Sequence, residues 1–306
     1  MLIQVKKLLN TYPISHIIAT GAPFKPFYYL TALRSDFPEV KILLDYRDPW
    51  TNAINYGMSS LSRGRLQYEL DIEKKAIQNA DVIMSPTDPF IQIPEAIKSA
   101  LPKTKIVELP HAYDQDDLPA IQAQAPQDNI IRIIYTGTLY EGLKPLLTAW
   151  ADALLNLQQQ DSQLYERIRI DFYTNETKTG LDFKEKHPEI ISLNKTVPVK
   201  EMYQKISEAS ICLLFSLPHI RHYKTTKFFE YLTLSKPFLL LGDKGNVSQF
   251  LDDEKIGQSL DIQDLQNGLL NSTIYTILDP RHIQTKYDHS RFSFDYVTDQ
   301  LITLLT

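Results

Sequence analysis

Short apolar runs that end in turn residues recur along nearly the whole chain, and helical patterns fill the intervals between them. The runs fall at 14–20, 40–46, 81–85, 105–109, 130–136, 168–174, 210–216 and 237–242, and several are apolar at consecutive positions rather than alternate ones. A strand that reads this way must be covered on both faces, which is the condition of a parallel sheet sandwiched between helices. The intervening helices fit the same reading. Residues 63–80 place Leu66, Leu70, Ile77 and Ala80 on one side, with Glu69, Glu73 and Lys74 elsewhere, and 145–158 open with Pro145 at a first helical position. The fold class is therefore α/β, built from parallel crossovers.

At 306 residues, with 43% hydrophobic residues, the chain has the length and the apolar material for two cores of this kind. The polar, proline-containing stretch 122–129 precedes a new apolar strand and sets the expected boundary. The domains then read as 1–125, 126–285 and a C-terminal helix within 286–306 that can return to the first domain. That helix is expected to carry Phe294, Val297, Leu301 and Leu304 on one face.

Composition removes several function classes. Lys and Arg total 32 against 37 Asp and Glu, for a net charge of −5, and neither half of the chain is basic. Nucleic-acid binding by phosphate neutralisation is not expected. The one cysteine, Cys212, lies inside an apolar run, so an internal disulfide and a thiolate metal cluster are excluded; a buried small hydrophobe and a reactive thiol are its two readings. No run of 18 apolar residues occurs, and the opening MLIQVKKLLNTYP places two lysines inside a short helical pattern, so a cytoplasmic protein is expected.

Doubly wound sheets bind ligands beyond the carboxyl ends of their strands, and two of them in tandem would face a cleft, so the residues just after strands carry the functional argument. Gly21 follows the first strand, where it serves either a plain turn or a backbone approach to an anion. Arg47, Asp48 and Trp50 follow the second, in DYRDPW, as either a structural acid–arginine pair or a direct ligand contact with the tryptophan as a wall. Gly137 and Thr138 follow the strand that opens the second domain. After 210–216 come Arg221, His222, Lys224 and Lys227, where Thr225 or Thr226 can cap a helix and Lys227 shares a face with Glu230. A basic loop entering a helix N-terminus suits a diphosphate; an exposed lysine–glutamate pair is the plainer alternative. Tyr173, at another strand end, is either a base-stacking residue or a buried one.

Taken in order, DYRDPW, DVIMS, ELPHAYDQDDL, IIYTGTLY and TTKFFEYLTLSKPFLLLG resemble the landmarks of GT-B-fold glycosyltransferases of the family 4 type, over almost the whole chain. The resemblance implies two Rossmann-like domains facing a cleft, with the N-terminal one incomplete by about a hundred residues and open to a partner chain. It implies sugar transfer, with retention and without metal or cofactor, from a nucleotide-diphosphate sugar to a glycan or lipid-linked acceptor, with peripheral contact at the inner membrane face as a further expectation.

The resemblance also distributes roles. Glu230 corresponds to the second glutamate of the Glu-x7-Glu motif, which holds the ribose hydroxyls, and Lys227 lies near the diphosphate. Arg47, with Asp48 beside it, falls where many members place a histidine near the transferred sugar. Gly137 matches the glycine that opens the donor domain. The sequence departs from the pattern at His222, which replaces the first glutamate, and at Thr138, which replaces an arginine. Lys224, Lys227, Arg221 and His222 are the remaining charges for a leaving diphosphate. The alternative is a non-catalytic descendant that binds a nucleotide or a partner protein.

Overall fold

The computed structural model describes residues 1–52, 58–88, 93–99, 105–118, 128–175, 178–284 and 287–306. The chain divides into two units, residues 1–110 with 297–306, and residues 111–296. The division comes after Pro110, whereas most of the proline-containing stretch expected to hold the boundary lies outside the described residues.

In the first unit α1 (Leu2–Thr11) precedes β1 (His16–Gly21), α2 (Lys25–Leu30), β2 (Lys41–Tyr46), α3 (Arg63–Gln78), β3 (Val82–Ser85), α4 (Glu95–Lys98) and β4 (Lys105–Glu108). Its four strands are parallel and lie in chain order, with Gly21 opposite Tyr46 in register. The strands supply both faces by alternation. Ile42, Leu44 and Tyr46 enter one cluster with Ile72, Ala76 and Ile77 of α3, while Leu43 enters the other with Val82 and Met84.

The second unit runs β5 (Ile131–Thr136), α5 (Lys144–Gln160), α6 (Ser162–Arg167), β6 (Ile168–Tyr173), α7 (Lys178–Lys186), β7 (Ile191–Asn194), α8 (Val199–Glu208) and β8 (Ile211–Ser216). It continues with α9 (Thr226–Thr233), β9 (Phe238–Gly242), α10 (Asn246–Asp253), β10 (Gly257–Leu260), α11 (Ile262–Gln266), α12 (Leu270–Leu278) and the start of α13 (Phe294–Leu305). The six strands are parallel in the order β10-β9-β8-β5-β6-β7. The chain thus begins at the centre with β5, moves outward through β6 and β7, then returns to the other side of β5 with β8. That reversal, between β5 and β8, is the topological switch point where such sheets bind ligands.

Alternation again feeds two cores: Ile133, Leu213 and Leu239 face one side, and Ile134, Cys212 and Leu240 the other. Cys212 is the buried small hydrophobe of the two readings, and burial pushes its thiol pKa up.

Three sequence expectations require correction. Glu69 and Glu73 lie on the buried side of α3, 3% and 0% exposed. Phe294 is 60% exposed, so the apolar face of α13 consists of Val297, Leu301, Leu304 and Leu305, which close over Leu43 and Met84. Strands β7 and β10 add two edges that no apolar run announces. Among the described residues no helix is long and apolar enough to cross a membrane.

Candidate functional site

The site in the second unit begins at Gly137, the first residue past β5. Its φ is +144°, in the region open to glycine, and its N–H donates to the Tyr173 carbonyl at 2.8 Å, tying the end of β5 to the end of β6. A Cβ built at Gly137 would stand 1.9 Å from Lys227 Cε and 2.7 Å from its Nζ. The lysine stem therefore crosses the space that any other residue at 137 would fill.

α9 delivers that lysine. Thr225 is the N-cap residue in extended conformation but makes no side-chain cap bond, so the hydroxyl cap expected from the sequence does not form. The first N–H groups of an α-helix have no partner within the helix, and the helix dipole adds positive potential there. Tyr231 sets where this end stands. Its hydroxyl lies 3.0 Å from Thr136 Oγ1 and accepts from the Thr136 N–H at 2.8 Å, bracing α9 against the last residue of β5.

Lys227 and Glu230 line one cavity of about 260 Å³. Thr136, Gly137 and Tyr173 contribute the strand ends, and Val199, Met202 and Ile206 of α8 make an apolar wall. Burial lowers the Lys227 pKa, opposed by the nearby Glu230 charge; burial raises the Glu230 pKa, opposed by Lys227. Among the described residues no ion pair joins the two. Each therefore keeps hydrogen-bonding capacity directed at the cavity: a cation able to meet an anion, and a carboxylate able to accept from hydroxyls.

The other basic residues of the loop turn elsewhere. Arg221 Nε donates to His222 Nε2 at 3.0 Å, and His222 Nδ1 lies 3.0 Å from Asn246 Oδ1. The Lys224 ammonium sits 5.1 Å above the Phe250 ring. Thr138 is exposed, and its carbonyl accepts from the Tyr135 hydroxyl at 2.9 Å. None of these four lines the cavity. The structure brings together Gly137, Lys227 and Glu230, with Tyr173 beside them.

In the first unit Arg47 Nε donates to Asp45 Oδ2 at 2.9 Å, and Thr20 Oγ1 donates to the same carboxylate at 3.2 Å. Burial raises the Asp45 pKa and Arg47 lowers it, so the acid–arginine pair exists as a structural contact. Asp48 follows on the same segment. Trp50 is not an accessible wall. It is 1% exposed, stacks on Phe24 at 5.5 Å between ring centroids, and donates from Nε1 to Glu69 at 3.1 Å. At Gly21 a Cβ would come 2.3 Å from the Phe24 ring, so its smallness serves aromatic packing. Sequence reasoning missed Tyr231 and the two buried glutamates. An acid at i and i+4 in step with apolar i+3 and i+7 neighbours, as Glu69 and Glu73 are with Ile72, Ala76 and Ile77, is the signal that could have found them.

Two parallel α/β units, the second doubly wound with a cavity at its switch point, fit the GT-B class of fold. Comparison with solved structures bears this out. The chain is similar to sucrose-phosphate synthase from Thermosynechococcus elongatus, at 15% identity and a TM-score of 0.65 over 99% of this chain and 76% of that one. It is equally similar to an α,α-trehalose-phosphate synthase (UDP-forming) from Burkholderia xenovorans in complex with glucose-6-phosphate, at 11% identity and 0.67 over 99% and 77%. A third is the N-terminal domain of Candida albicans trehalose-6-phosphate phosphatase, at 13% identity and 0.65 over 98% and 72%. No protein-family model and no curated protein matches the sequence. The fold is that of the GT-B glycosyltransferases.

Proposed function

We propose that this protein is a glycosyltransferase that moves a sugar from a nucleotide-diphosphate sugar to a glycan or lipid-linked acceptor. The observation that carries the reading is the convergence of Lys227, Glu230 and Gly137 on one cavity at the switch point of the second unit. Breaking the bond between the anomeric carbon and the diphosphate leaves negative charge on the leaving group, and fixed donors that meet this charge lower the barrier. Lys227 supplies a part-buried cation for it, reinforced by the N-terminal amides of α9. Glu230 accepts from the ribose hydroxyls, and the apolar wall of α8 with Tyr173 receives the base.

Arg47 and Asp48 are assigned to orienting the transferred sugar or the incoming hydroxyl, and Gly21 to the acceptor-side loop. Transfer with retention, without a metal, in a cytoplasmic protein that meets the inner membrane face at its periphery, completes the proposal. Incubation of the full chain with UDP-, GDP- and ADP-sugars and a panel of glycan, lipid-linked and sugar-phosphate acceptors tests it, in the presence and absence of a chelator. Release of free nucleoside diphosphate with formation of a product of unchanged anomeric configuration is expected. Binding without release from any donor contradicts the reading.

A further inference from the structure

The two buried glutamates of α3 belong to no part of the site described above, yet both are directed at the segment that follows β2. Their surroundings differ. Glu69 is compensated: it accepts from Lys25 Nζ at 2.9 and 3.1 Å, from Arg65 Nη2 at 2.6 Å and from the Trp50 indole at 3.1 Å. Glu73, one turn further along, has no cation paired with it among the described residues. Its Oε2 accepts both the Thr51 hydroxyl and the Thr51 N–H, the latter at 3.3 Å. Its Oε1 and the Tyr46 hydroxyl, sealed beside each other, are both left without a hydrogen bond of ordinary geometry.

A fully buried carboxylate without a cation is a costly choice where a glutamine or an apolar residue would fill the same volume. What it provides is two bonds into Thr51, and through Thr51 a fixed end for the residues 47–51. We propose that Glu73 is a positioning residue: its ionised carboxylate holds Thr51 by backbone and hydroxyl together, and so sets where Arg47 and Asp48 stand. The consequence for turnover rests on the function proposed above; the positioning itself does not.

The titration of Glu73 supports this. Burial pushes its pKa up to about 7, against the two Thr51 bonds and Tyr46, with Glu69 adding to the rise. The groups that face it are thus Tyr46 from β2 and Glu69 from α3, the latter carrying Lys25 of α2 and Arg65 of α3. Both protonation states are populated near neutrality, and a bond to a carboxylate is roughly twice as strong as one to a neutral acceptor. The grip on Thr51 therefore weakens as the proton is taken up.

Nitrogen-15 spectra of the full chain between about pH 5.5 and 8.5 test the proposal without requiring activity. The chain has two tryptophans, and the Trp50 indole signal is assigned by its loss in Trp50→Phe. The Thr51 amide and the Trp50 indole should titrate together with one midpoint near neutrality, and Glu73→Gln should abolish that midpoint. Signals that stay flat in the native chain, or a midpoint that survives Glu73→Gln, would overturn it. Should Glu73→Gln not fold, Thr51→Val decides: losing the hydroxyl bond to the carboxylate should move the Trp50 midpoint upward, and an unmoved midpoint refutes the positioning.

The activity arm separates the two readings. Glu73→Gln should lower kcat severalfold, flatten its pH profile and leave the KM for the nucleotide-sugar unchanged. A wild-type pH profile retained in Glu73→Gln contradicts the proposal. A native chain with no turnover contradicts the glycosyltransferase reading instead, and the spectra then decide the positioning by themselves.

Discussion

Gly137 and Lys227 share one small volume: the lysine stem passes where a side chain at 137 would be, 1.9 Å from the place of its Cβ. The two residues are ninety positions apart in sequence, yet a side chain at 137 would displace the end of the lysine. Gly137→Ala is expected to push the ammonium out of the cavity and to force an alanine into φ +144°. The backbone strain should cost about 1–3 kcal/mol of stability in urea unfolding. Affinity for a nucleoside diphosphate should fall by about tenfold or more, equivalent to ~1.4 kcal/mol by calorimetry.

Lys227→Met keeps the stem and removes the charge. If the ammonium stabilises the leaving diphosphate, the rate should fall by about 10²–10³ while the chain stays folded. Near-normal turnover in a folded Lys227→Met would remove the lysine from the chemistry.

Glu230→Gln should act on the ribose. A hydrogen bond to a charged group is worth about 1.5–3 kcal/mol, so the variant should bind a ribonucleoside diphosphate more weakly and lose most of its preference over the 2′-deoxy form. Competition titrations with paired ribo- and deoxynucleotides measure this directly. Equal discrimination by the two proteins would place the carboxylate elsewhere in recognition.

Trp50→Ala should be a stability mutation. The indole is buried against Phe24 and Phe27, and its removal should cost about 3–5 kcal/mol in denaturant unfolding. Under conditions where the variant remains folded, nucleotide affinity in the second unit should be unchanged.

The pH dependence of stability has a definite sign at Glu73. Its folded pKa, about 7, stands above the value near 4.5 of an exposed glutamate, so the folded chain keeps a proton that the unfolded chain releases. The contribution is present below about pH 4.5 and is lost as pH rises to about 7, a change of ~3 kcal/mol. Glu69, whose pKa is lowered, works in the opposite direction, so the comparison must be between the native chain and Glu73→Gln. Urea midpoints at about pH 5 and pH 8 should fall more in the native chain than in the variant.

The central strands were legible because helices on both sides demand apolar residues at consecutive positions, as at Ile133, Ile134 and Tyr135 or from Ile211 to Phe215. The edge strands β7 and β10 were not, since edges carry residues such as Ser192, Asn194, Gln258 and Ser259 that resemble loop. Lys227 and Glu230 could be found because helical spacing puts i and i+3 on one face without knowledge of the rest. Arg221, His222 and Lys224 look equivalent to Lys227 in sequence, and only the path of the loop toward Asn246 and Phe250 separates them. Trp50 and the glutamates misled for one reason. Charged neighbours read as solvent, whereas here Lys25 and Arg65 reach Glu69 and let it follow the indole into the core.

The central claim is that the cavity holding Lys227 and Glu230 is a nucleoside-diphosphate site. Calorimetric titration of the full chain with UDP, GDP and ADP, repeated with Lys227→Met, tests it most directly. The account predicts saturable binding of at least one of the three, weakened at least about tenfold by the substitution. No binding of any of them, or binding that Lys227→Met leaves unaltered, would contradict it.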